Sequence, residues 1–148
     1  MTRAGFSLIE LLVALVIVAV LTAAALPAYQ QQVIRTRRSE AQSALLKLMM
    51  QQERFHSQHN TYIAFSAGVA DAEARQFHWW SGASAPASAY EIEGKACDGE
   101  LITQCVQLIA RPGTAQVDSR FHDDDCRTLT LTSTGQRAAS GSAPGCWP

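Results

Sequence analysis

The sequence predicts an α+β protein in which one long N-terminal helix carries a small antiparallel sheet. Three observations lead there. An apolar run starts at Gly5-Phe6-Ser7-Leu8-Ile9-Glu10-Leu11-Leu12-Val13-Ala14 and continues, apart from Thr22, to Leu26. The polar stretch that follows keeps apolar residues at helical spacing, with Ile34, Ala41, Leu45, Leu48 and Phe55 falling on one stripe. Segments in the second half alternate apolar and polar residues with the period of a strand, and the four cysteines all lie among them.

Size and charge set the outer limits. A chain of 148 residues suits one ordinary domain, and enough remains beyond an N-terminal anchor to bury a core. The formal charge of −1 gives no sign of a nucleic-acid partner, so none is expected on this count. An even number of cysteines behind an export-like segment favours disulfides in an oxidising compartment.

In the apolar run Glu10 is the only ionisable side chain. A lone carboxylate costs a few kcal/mol in a bilayer unless something neutralises it. Read as a secretory signal, the run has a basic head at Arg3 and a cleavage pattern at Ala23-Ala24-Ala25 that would release a soluble binding module starting at Leu26. Read as an anchor, about twenty residues at 1.5 Å each cross a bilayer core of about 30 Å. Neither reading explains Glu10, since leucine would serve both better.

The stretch from Gly5 to Ala14 closely resembles the class III signal of type IV pilins and pseudopilins. The resemblance implies cleavage by a prepilin peptidase between Gly5 and Phe6, N-methylation of Phe6, and an assembly role for Glu10 in neutralising the N-terminal amine of a neighbouring subunit. A charge that is costly in lipid becomes favourable beside an opposite charge in a water-poor filament core. The same resemblance puts the N-terminus in the cytoplasm and the remainder in the periplasm. Basic residues do not support that orientation independently, because Arg3 alone faces Arg35, Arg37 and Arg38.

Pro27 lies inside the helical pattern and has no amide hydrogen for the carbonyl of Ala23, so a kink is expected. The resemblance adds that residues 19–27 lose helicity in filaments. Beyond Pro27 the helix turns amphipathic. Its apolar stripe, with a polar break at Gln52, should meet the C-terminal domain, while Arg38, Gln42, Lys47, Gln51 and Arg54 supply the rest of its surface. The helix as a whole should run about fifty residues, or about 75 Å. The basic cluster at Arg35 to Arg38 reads as a solvated or headgroup-level face. His56 and His59, with Glu53 a turn earlier, have metal-compatible spacing but no recognised zinc motif around them, so no metal is expected.

Five segments follow: a leader (1–5), the membrane and assembly half of the helix (6–27), its amphipathic half (28–58), a connecting loop (59–89) and a disulfide-bearing sheet domain (90–148). In the loop, His78-Trp79-Trp80 reads as cover for the edge of a small core rather than as an exposed adhesive patch. Strands are expected over 90–94, 101–110 and 127–132. Four cysteines allow three pairings. Cys97 with Cys105 and Cys126 with Cys146 suits hairpin geometry and clips the tail to the sheet, and no C-x-x-C pair argues for zinc. His122-Asp123-Asp124-Asp125 lacks the spacing of a calcium loop and reads as solvated.

Gln52-Glu53-Arg54-Phe55, Asn60-Thr61-Tyr62, Cys126-Arg127-Thr128-Leu129-Thr130-Leu131 with Gly135, and the terminal Cys146-Trp147 extend the resemblance to the minor pilins of the PilE type. No nucleophile elbow, phosphate loop or H-E-x-x-H is present, so no catalytic residue and no cofactor is expected. The resulting expectation is a non-enzymatic type IV pilin fold: a minor pilin that enters or primes a pilus and supports adhesion or twitching motility. Its partners would be other pilin helices and the prepilin peptidase. It would sit in the inner membrane with a periplasmic head, and later at the cell surface. A type II secretion pseudopilin and a DNA-uptake pilin are the alternatives within this fold. The head has no basic stretch interleaved with aromatics, which argues against DNA.

Overall fold

In the computed structural model, which describes residues 7–148, the chain forms one long helix, two short 3-10 turns and a four-stranded sheet. The expected cleavage point between Gly5 and Phe6 lies outside the described residues. Helix α1 (Leu8–His59) is assigned without a break through Pro27. It belongs to two compact units, residues 1–36 and 37–148.

In the first unit α1 is apolar from Leu8 to Leu26 apart from Glu10 and Thr22, and turns polar beyond Pro27. The large side chains from Leu8 to Leu26 are exposed, and by length and composition this helix can cross a membrane. Residues 19–27, expected to unwind in a filament, are helical in this chain.

In the second unit Ala41, Leu45, Leu48 and Gln52 of α1 are buried, at the i, i+4, i+7 spacing that puts them on one helix face. Ala41, Leu45 and Leu48 share a core with Tyr90, Ile92, Leu108, Leu129 and Leu131. Those residues come from an antiparallel meander in the order β1 (Tyr90–Ala96), β2 (Val106–Pro112), β3 (Leu129–Thr132) and β4 (Arg137–Ala139). Register places Ile92 opposite Ala110 and Leu108 opposite Leu131, so the apolar side chains share one face.

Four local expectations need correction. The second strand starts at Val106, not at residue 101, because residues 101–105 turn within a loop closed by the Cys97–Cys105 disulfide. Strand β4 lies outside the expected strands, since Arg137-Ala138-Ala139 has little intrinsic strand preference and is held by pairing with β3. The polar break at Gln52 is fully buried. Its amide donates to Ile63 O at 2.7 Å and accepts from Ile63 N at 3.1 Å, which pins the connecting loop to the helix. Arg38, expected on the surface, is also buried.

The β1 edge of the sheet is covered, whereas β4 is largely exposed. Phe65 pairs with Gly94 along β1 through two backbone bonds of 2.9 and 3.0 Å, and the Trp79 carbonyl accepts from Ile92 N at 2.7 Å. Gly94 is required there, because a Cβ would lie 2.5 Å from the Phe65 ring. At the other edge the Trp147 indole donates to Ala138 O at 2.8 Å.

Candidate functional site

At the start of the described helix, Glu10 bends back on its own chain. Its Oε2 accepts from the Ser7 backbone N–H at 2.9 Å, while Glu10 N donates to Ser7 O at 3.1 Å. This satisfies an amide that a helix N-terminus leaves unpaired and puts a carboxylate at the positive end of the dipole. The signal was present in the sequence as Ser7-x-x-Glu10, a capping-box spacing that the sequence reading passed over. Pro27 lies inside the same helix, just past the apolar run.

In the head, the pair that ties helix to sheet is Arg38 with Asp123. Asp123 is 2% exposed and Arg38 8%. The guanidinium donates twice, from Nε to Oδ2 at 2.8 Å and from Nη2 to Oδ1 at 2.6 Å, in the bidentate form that fixes orientation. The Tyr90 hydroxyl and the Cys126 amide also donate to Asp123. Burial opposes the Asp123 charge, yet the Arg38 and Tyr90 bonds, the Cys126 amide and the Arg38 charge together hold its carboxyl below the ordinary carboxylate range. Burial first, then the bond to Asp123, pushes the Tyr90 hydroxyl well above its usual value. Asp123 therefore does not belong to a solvated loop, and both its oxygens are engaged, so the segment 122–125 does not offer it as a calcium ligand.

The disulfides join Cys97 to Cys105 and Cys126 to Cys146. The second fixes the C-terminal tail, whose Cys146 carbonyl also accepts from Gln42 of α1 at 2.7 Å. Glu53 and His56 are occupied too. Tyr62 donates to Glu53, and His56 Nε2 lies 3.2 Å from Thr103 O.

A groove of about 650 Å³ runs between α1 and the connecting loop, lined on the helix by Glu40, Lys47 and Gln51 and on the loop by Gln76, His78 and Trp80. Positions 40, 44, 47 and 51 fall on one helix face, next to the buried one. The loop is held in place by Gln51 donating to Gln76 O at 3.2 Å and by the bridge between Trp80 and Glu91 of β1. His78 stacks on Trp80 at 4.6 Å, and Trp79 meets Trp80 edge to face. The His-Trp-Trp segment thus does two things. Trp79 packs on the core, as expected of edge cover, while His78 and Trp80 form one wall of an open groove. Lys47 is exposed there, and Glu40 is paired with Arg37 at 3.1 Å.

A family model described as "Type IV minor pilin ComP, DNA uptake sequence receptor" matches residues 27–130, and a model of the prokaryotic N-terminal methylation motif matches residues 1–26. No curated protein matches the chain. Among solved structures, the non-core minor pilin PilV of Neisseria meningitidis aligns with a TM-score of 0.50 at 20% identity, covering 78% of this chain and 94% of that one. A type IV pilin from Shewanella oneidensis aligns with a TM-score of 0.47 at 23% identity, covering 78% and 98%. The fold is that of the type IV pilins. With a signal for N-terminal methylation ahead of a family match over most of its length, this chain belongs to the ComP family of type IV minor pilins.

Proposed function

We propose that the chain is a DNA-capturing minor pilin. It is cleaved between Gly5 and Phe6, methylated at Phe6, anchored in the inner membrane with a periplasmic head, and built into a type IV pilus through its apolar helix. Glu10 neutralises a neighbour's amine in that assembly. DNA capture replaces adhesion and twitching motility as the favoured role, because the matching family is described as a DNA uptake sequence receptor.

The observation that carries the DNA reading is the groove of Lys47, His78 and Trp80. Residues 37–148 hold ten basic against twelve acidic side chains, so attraction to DNA must be local. Lys47 and Arg54 are two turns apart on α1, both exposed, and Arg75 is exposed beside groove residue Gln76. The cation and aromatic mixture missing from the linear sequence is assembled in space from two segments about thirty residues apart. Phosphates would lie against Lys47, Arg54 and Arg75, with the Trp80 and His78 rings offering a stacking surface.

The test is fluorescence anisotropy of a labelled duplex with the full-length chain in detergent, titrated with salt. Lys47→Ala should weaken binding equally for all sequences and lower the salt slope by about one. Trp80→Ala should cost about 1–3 kcal/mol on a labelled single strand, whose bases are free to stack. Duplex binding that neither variant alters would remove the groove from the proposal, and no binding of any duplex at low salt would remove DNA.

A further inference from the structure

The sequence groups Arg35, Arg37 and Arg38 in one basic cluster, and the fold divides it. Arg38 is buried against Asp123, and Arg37 donates to Glu40 at 3.1 Å. Arg35 is exposed and has no ion pair among the described residues. Its own unit holds no carboxylate near it. Between Glu10 and Glu40 the chain contains no acidic residue, and Glu10 lies about 38 Å away along a continuous helix. An unpaired cation here also runs against the usual excess of basic residues on the cytoplasmic side.

The height of Arg35 above the apolar run follows from helix geometry. The exposed apolar side chains end at Leu26, and Tyr29, 70% exposed, follows one turn later with a ring and a hydroxyl suited to the border between hydrocarbon and headgroups. Arg35 starts nine residues beyond Leu26, about 13 Å along the axis. Helical side chains lean toward the N-terminus, here the membrane side, so an extended arginine brings its guanidinium about 6 Å back down. The headgroup layer is about 5–7 Å thick on each side, so the guanidinium meets it from above. Gln31 and Gln32, both exposed, lie one turn below Arg35 and add amide donors.

We infer that Arg35, with the Gln31 and Gln32 amides, binds the phosphate of an anionic phospholipid in the periplasmic leaflet while the chain is anchored there. This rests on the anchored state proposed above and involves neither the groove nor DNA. A lipid is the occupant because the site is continuous with the apolar run and carries one uncompensated positive charge. An anionic headgroup cancels that charge, and a zwitterionic one leaves it unmatched. A guanidinium holds a phosphate through two parallel hydrogen bonds. The contact is given up when the helix leaves the bilayer for a filament, so it favours the membrane-bound form.

For the test, the full-length chain in detergent is incubated with equal amounts of phosphatidylglycerol and phosphatidylcholine of the same acyl chains, and native mass spectrometry counts the lipids it keeps. Phosphatidylglycerol should be retained about fivefold over phosphatidylcholine, the attraction of one basic residue near a charged surface. Arg35→Gln should bring the ratio to about one, while Arg127→Gln, at an exposed arginine of the head, should leave it unchanged. Unchanged helicity and melting verify folding. A ratio that Arg35→Gln leaves intact, or that Arg127→Gln lowers equally, would overturn the inference. Displacement of phosphatidylglycerol by equimolar inorganic phosphate would also overturn it, by making the site one for a free anion. A chain that fails to insert into vesicles of the same two lipids would remove the anchored state and this inference with it, whereas insertion with a ratio near one removes the inference alone.

Discussion

Asp123→Ala should be the most destabilising single substitution on the head surface facing α1. Asp123 accepts from Arg38 twice, from the Tyr90 hydroxyl and from the Cys126 amide. Its removal strands a buried guanidinium, and breaking such a pair costs about 3–5 kcal/mol. Asp125 Oδ2, 3.6 Å from Arg38, can take over part of the charge, which places the cost near the lower end, at about 3 kcal/mol. For a unit of this size that is a fall in Tm of about 10–15 °C. Thermal unfolding followed by circular dichroism, with both disulfides intact, measures it. Adding Arg38→Met to Asp123→Ala should cost little more, since the partner is already gone, and the cycle should show strong coupling. A Tm within 2 °C of the parent, on the order of 0.5 kcal/mol by the same relation, or strictly additive single effects, would refute the reasoning.

Two further outcomes follow from the same head. The Asp123 carboxyl is depressed in the folded state, so its contribution is present above the unfolded value of about 4 and is lost as pH falls below it. Head stability should therefore drop steeply below about pH 4, and Asp123→Asn should flatten that acid limb; an unchanged limb would count against the assignment. Gly94→Ala should force the Phe65 ring off β1 at a cost of about 1–3 kcal/mol, read as faster amide exchange at Phe65 and Gly94, because the added carbon meets that ring at 2.5 Å.

What could be read without coordinates was whatever has a local cause. The apolar run, the charge at Glu10 and the residues around it specify the N-terminal unit and its family likeness because each acts within a few turns of one helix. Alternation in 90–94 and 127–132 located two strands for the same reason. The capping spacing of Ser7 and Glu10 is equally local.

Tertiary structure decided the rest, because those properties depend on partners far away in the chain. Nothing local separates Arg38 from Arg35 and Arg37, or Asp123 from Asp124 and Asp125. Only the docking of helix on sheet buries one member of each run and pairs them across 85 positions. Strand β4 exists through its hydrogen bonds to β3. The groove exists because the connecting loop folds back along the helix, bringing His78 and Trp80 beside Lys47. Periodicity reports which face of an element is apolar; which charge becomes buried, and which cation meets which aromatic, is set only when the faces meet.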